Sequence, residues 1–117
     1  MIAFEQVTKR YGAVTAVSGL NLNIADGKVC VLVGPSGCGK STTLKMINRL
    51  LEPTEGSIQV WGEPVESFAT EELRRRIGYV IQSVGLLPHM RVRENIGIGP
   101  RLLGWAEKKR RERATEL

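Results

Sequence analysis

The 117 residues are 42% hydrophobic, 25% charged and 5% aromatic, which excludes a disordered or low-complexity chain and suits one globular domain rather than a two-domain enzyme. The longest apolar run, 29–33, is far short of the roughly 20 residues of a membrane span, and Met1–Glu5 carries no basic region ahead of an apolar stretch, so a cytoplasmic chain without signal or span is expected. Residues 91–117 hold eight Lys/Arg against four Glu and so carry most of the net charge of +5, but Lys108-Lys109-Arg110-Arg111 lacks interleaved aromatics and reads as a solvated helix face, not a nucleic-acid interface.

In chain order, Ile2–Val7 reads as a strand, followed by a turn over Thr8–Gly12. Val14–Val17 and Leu20–Ile24 read as two further strands, the second with period two, and Ala25-Asp26-Gly27 has hairpin-turn chemistry. Val29–Val33 is a continuous, largely β-branched run, the pattern of a strand buried on both faces; Cys30 within it reads as a small buried hydrophobe. Cys30 and Cys38 suggest neither a disulfide nor, with a single His, a zinc site.

A Gly-rich loop follows, then Lys40–Leu51 with apolar residues at helical spacing, and a turn over Glu52–Gly56. Ser57–Val60 predicts a strand. Thr70 is a candidate N-cap for a short helix with Glu71 and Glu72 first and Arg74–Arg76 last, an order that complements the helix dipole. Ile77–Ile81 predicts another apolar strand ending in Gln82; His89 lies in a loop broken by Gly85 and Pro88. Val92–Ile98 predicts a short helix or a turn with two glycines, and Leu102–Leu117 a longer helix. Trp61 and Trp105 read as packing residues.

The chemistry concentrates in Gly34-Pro35-Ser36-Gly37-Cys38-Gly39-Lys40-Ser41, which fits G-x-x-x-x-G-K-[ST] between a predicted strand and a predicted helix. Glycines let backbone N–H groups point inward as an anion nest, and the helix start adds its positive dipole end. Lys40 supplies a cation for β- and γ-phosphates, and Ser41 a hydroxyl for Mg²⁺. Hydrolysis needs more: an acidic residue on a neighbouring strand to hold Mg²⁺ and a group to position water. The one Asp, Asp26, precedes the loop, and no Glu follows a run of four apolar residues. The 117 residues therefore read as the front half of a nucleotide-binding domain that does not turn over ATP alone.

The stretches Phe4–Gly12, Gly34–Thr43, Leu51–Gly56 and Ile77–Gln82 resemble the ATP-binding subunits of ABC transporters, and the resemblance runs over the whole chain. It implies an α/β fold: a truncated P-loop NTPase (ABC ATPase) core with an N-terminal antiparallel β subdomain. Residues 1–82 would form the β subdomain and P-loop core, and 83–117 would begin the helical subdomain. It further implies that Tyr11 stacks on adenine, that Gly34, Ser36, Gly37, Cys38, Gly39, Lys40, Ser41 and Thr42 hold ATP, and that Ser41 and Gln82 reach Mg²⁺, with Lys40 and Gln82 catalytic. The implied partners are a second ATP-binding subunit and a membrane permease, at the cytoplasmic face of the cell membrane, and no nucleic acid. The remaining motifs, an LSGGQ-type segment, the acidic strand and a switch His, are expected beyond Leu117.

Thr43–Leu50 and Tyr79–Met90 are most similar to importers of quaternary-amine osmoprotectants: glycine betaine, carnitine or choline. Importers of methionine or polar amino acids, a non-hydrolysing nucleotide-binding fragment, and a small P-loop kinase or GTPase remain alternatives.

Overall fold

The computed structural model describes residues 1–83 and 85–117. Val84, part of the stretch that carries the osmoprotectant resemblance, lies outside the described residues. The chain divides into two compact units, Met1–Gly78 and Tyr79–Leu117.

The first unit is built on an antiparallel sheet of order β2-β1-β3-β4, formed by β1 (Ile2–Tyr11), β2 (Val14–Ile24), β3 (Glu55–Val60) and β4 (Glu63–Pro64). Helices α1 (Lys40–Ile47) and α2 (Thr70–Arg76) complete it, with a 3₁₀ turn over Val65–Ser67. Phe4, Val7, Met46, Ile58, Val60, Val65 and Leu73 form its buried core, with Ile2, Val17, Leu20 and Leu22 packed at the margin.

β1 contains an irregularity that its sequence demands. Phe4 and Val7 are three apart, a spacing that puts them on opposite faces of a regular strand. Register shifts between them: Phe4 pairs with Leu22 and Val7 with Leu20, so β1 spends one extra residue. Gln6 absorbs the kink at φ 50°, and both apolar side chains reach the core. Across the sheet Gly56, at φ 84°, lies so close that a Cβ there would come within 2.4 Å of the Gln6 carbonyl oxygen.

β1 runs on through Thr8–Tyr11, predicted as a turn, because its polar residues find partners. The Lys9 ammonium donates to Glu52 O (2.7 Å), the Arg10 amide to Thr54 Oγ1 (3.0 Å), and the buried Thr8 hydroxyl accepts from the Gly19 amide (2.9 Å). Val14–Ile24 is likewise one strand rather than two, held along its length by β1.

α1 stops at Ile47, short of the predicted Leu51. Arg49 turns left-handed (φ 54°), and the amides of Leu50 and Leu51 both donate to Lys45 O. The Arg74 guanidinium then donates to Asn48 O (3.0 Å) and Arg49 O (2.7 Å), which ties α2 to the end of α1. Thr70 is the first helical residue of α2 and not its cap; Ala69 precedes it with no side-chain capping bond. Arg76 lies 4.0 Å over the Trp61 ring and Phe68 meets Trp61 edge-on at 5.8 Å, so Trp61 is a packing residue.

Two predicted strands do not form. Val29–Val33 forms no strand, and Val29, Val31 and Val33 are 93%, 75% and 89% exposed; Cys30 is exposed with them. Ile77–Ile81 forms no strand either, and Val80 is 95% exposed. Both runs have the residues of parallel-sheet strands, but a strand exists through its ladder, and among the described residues nothing pairs with either.

Among its described residues the second unit holds three short helices, α3 (Val92–Ile96), α4 (Ile98–Leu102) and α5 (Glu107–Glu116). Asn95 organises its start, accepting the Leu87 amide (2.7 Å) and donating to Met90 O (3.0 Å). The single helix predicted over Leu102–Leu117 is broken at Gly104 (φ 74°), after which Ala106 is extended before α5 begins.

Candidate functional site

The loop Gly34–Gly39 leads into α1. Its glycines do different work. Gly37 (φ 80°) and Gly39 (φ 93°) occupy left-handed conformations. Gly39 also abuts β2: a Cβ there would stand 2.4 Å from Ala16 O and 3.1 Å from a Val17 methyl. The loop is thereby seated on the sheet through a position that tolerates no side chain.

Thr43, which sequence reasoning left out of the site, holds the other side. Its amide (2.8 Å) and its hydroxyl (3.0 Å) both donate to Gly39 O, and Thr43 is buried. A threonine four residues into a helix bonding back to i−4 is a recognisable local pattern. Nothing in the sequence says that the acceptor belongs to the loop's pivot.

The Lys40 ammonium spends its three protons inside the loop, on Gly34 O (2.7 Å), Pro35 O (2.7 Å) and Cys38 Sγ (3.3 Å). The Cys38 sulfur thus sits within reach of the ammonium. Among the described residues, the amides of Gly37, Gly39, Lys40, Ser41 and Thr42 have no intramolecular acceptor, and the first turn of α1 contains no acidic side chain. Unpaired N–H groups, an uncompensated helix N-terminus and an adjacent ammonium converge where one anion could satisfy all of them. Ser36 and Ser41 are exposed beside it, and Thr42 is half-buried.

Tyr11 ends β1 beside the turn into β2, the strand on which Gly39 rests. Tyr11 is 46% exposed, with Lys9 Nζ 5.2 Å from its ring centroid. That leaves an aromatic face open to solvent. Gln82 belongs to the second unit, where it is an exposed bend residue and not the end of a strand. His89 is exposed in its loop, and among the described residues no cluster of His, Cys, Asp or Glu could hold a metal by itself.

The family model described as ABC transporter matches residues 17–117. The chain is 55% identical to the carnitine transport ATP-binding protein OpuCA of Listeria monocytogenes, over all of this chain and 30% of that protein. It is 53% identical to the glycine betaine/carnitine/choline transport ATP-binding protein OpuCA of Bacillus subtilis, over all of this chain and 31% of that protein. Among solved structures it is similar to the ATP-binding cassette MJ0796 in a dimeric post-hydrolysis state bound to ADP and Pi. There the TM-score is 0.85 and the identity 32%, over 99% of this chain and 55% of the other. The chain spans about a third of the length of the curated relatives it matches.

Proposed function

This chain belongs to the ABC transporter family, and from that premise we propose that it is part of the ATP-binding subunit of an importer for a quaternary-amine osmoprotectant. The observation that carries nucleotide binding is the Gly34–Thr42 loop, with its unpaired amides and its lysine at the start of α1. An incoming β/γ-phosphate competes for the Lys40 ammonium, replacing neutral carbonyl acceptors with a charged one, which is the stronger kind of bond. Gly34, Gly37, Cys38 and Gly39 contribute backbone, Ser36, Ser41 and Thr42 hydroxyls, and Tyr11 its open ring face for adenine.

Ser41 fits Mg²⁺: its hydroxyl is exposed in the first helical turn and has no hydrogen-bond partner among the described residues. A hard cation that keeps several waters and phosphate oxygens needs few protein ligands. Ser41 and Gln82 would hold it, and bound there it would neutralise charge on the phosphates during transfer. Gln82 would also orient the attacking water.

The osmoprotectant reading is supported by the two relatives named for carnitine and for glycine betaine, carnitine and choline. A second ATP-binding subunit and a permease are the proposed partners, on the cytoplasmic face of the membrane. No helix among the described residues is long and apolar enough to cross a bilayer. The test is uptake of labelled glycine betaine, carnitine and choline at high osmolarity, with and without the intact gene. Loss of uptake of at least one amine is expected. Unchanged uptake of all three, with amino-acid import lost instead, would move the assignment to the amino-acid importers.

A further inference from the structure

The charged end of the second unit is not the uniformly solvated helix face its sequence suggests. We propose that α3, α4 and α5 frame a binding subsite for a small soluble anion bearing adjacent phosphoryl groups, built from residues other than those of the Gly34–Thr42 loop. A cavity of about 270 Å³ is lined there by Arg91, Arg93, Arg101, Arg110 and Arg111. Two carboxylates share the lining, Glu94 and Glu107, so the wall carries a formal charge of +3.

Each carboxylate already has one partner within the lining. Glu94 Oε2 accepts the Arg91 amide (2.7 Å), and Glu107 pairs with Arg111 one turn along α5. The Arg91, Arg93, Arg101 and Arg110 guanidiniums have no ion pair or hydrogen bond among the described residues. Arg110 is partly buried, whereas the other four lining arginines are exposed. Its Nε is shut off from solvent with no acceptor, whereas its neighbour Lys109 stacks 4.0 Å over Trp105 and Arg113 pairs with Glu116. Convergent like charges repel, and one polyanion accepting from the outward guanidinium N–H groups relieves that repulsion. Guanidinium forks match phosphate and carboxylate oxygens in pairs, and a wall of formal charge +3 favours an anion carrying more charge than a lone carboxylate. A concave pocket of this size suits a small molecule rather than a flat surface.

The test is calorimetry of the full chain with inorganic pyrophosphate, without Mg²⁺, in a Lys40→Ala background that disables the loop. Pyrophosphate is expected still to bind, and adding Arg101→Gln and Arg110→Gln should weaken it at least tenfold. Arg101→Lys with Arg110→Lys keeps the charge and should recover only part of that. Amide shifts should centre on Gly97 and Ile98, which needs no arginine variant to fold. No binding in the Lys40→Ala chain, unchanged affinity after both Gln substitutions, or shifts confined to Gly37 and Gly39 would overturn the subsite.

Discussion

The Lys40 ammonium donates to the Gly34 carbonyl across 2.7 Å, so the first residue of α1 is tied to the first residue of the loop that precedes it. With the further bond to Pro35 O, the lysine closes the loop on itself and holds its cation within it. The same side chain therefore shapes the loop and, on the proposed function, would supply charge to a bound phosphate.

Lys40→Ala should weaken ATP binding at least tenfold, about 1.4 kcal/mol. Both roles of the ammonium are lost at once. Calorimetry of the two chains decides it; equal affinities would remove the loop from the site.

Gly39→Ala should be worse for the loop than Lys40→Ala and also destabilise the fold. At φ 93° a side chain is strained, by about 1–2 kcal/mol, and its Cβ would meet Ala16 O at 2.4 Å. A lowered melting temperature together with lost ATP binding is the expected pair of results. A variant as stable as the parent would mean that the loop does not rest on β2 as described.

Tyr11→Ala should weaken ATP binding with little effect on stability, because the residue is half exposed and outside the core. Tyr11→Phe should keep the affinity, since a stacking face and not a hydroxyl is used. Loss in both variants would point to the hydroxyl.

Arg74→Ala should cost about 1–3 kcal/mol, the range for hydrogen bonds from a charged donor. It leaves Asn48 O and Arg49 O at the end of α1 without their donor. Chemical denaturation measures the loss, and an unchanged midpoint would show that water replaces the guanidinium at no cost.

The purified 117-residue chain should bind ATP without turning it over, and it should self-associate. The one Asp of the sequence, Asp26, precedes the loop, so no Asp after it can share Mg²⁺ with Ser41, and the run 29–33 exposes three valines beyond 70% and pairs with nothing among the described residues. Such an edge is a template for another chain. Steady phosphate release, or a monomer by light scattering at every concentration, would contradict the respective half of this expectation.

The phosphate loop was legible in the sequence because its chemistry is local: fixed spacing within eight residues dictates where glycines, lysine and serine fall. β1, β3, α1 and α2 were legible for the same reason, from apolar spacing and from turn residues. What the sequence could not carry was anything that depends on a distant neighbour. The Phe4–Val7 spacing is an error until β2 and β3 define the bulge that resolves it. Arg74 looks like a dipole complement until the end of α1 lies beside it, and Thr43 looks like any helical threonine until Gly39 becomes the loop's pivot. Val29–Val33 marks the other limit. Residue type established that this run suits a buried parallel strand, but a strand is a relationship between two segments. Only the tertiary structure, which supplies hydrogen-bond partners to some runs and leaves others without, decided which apolar sequences became sheet.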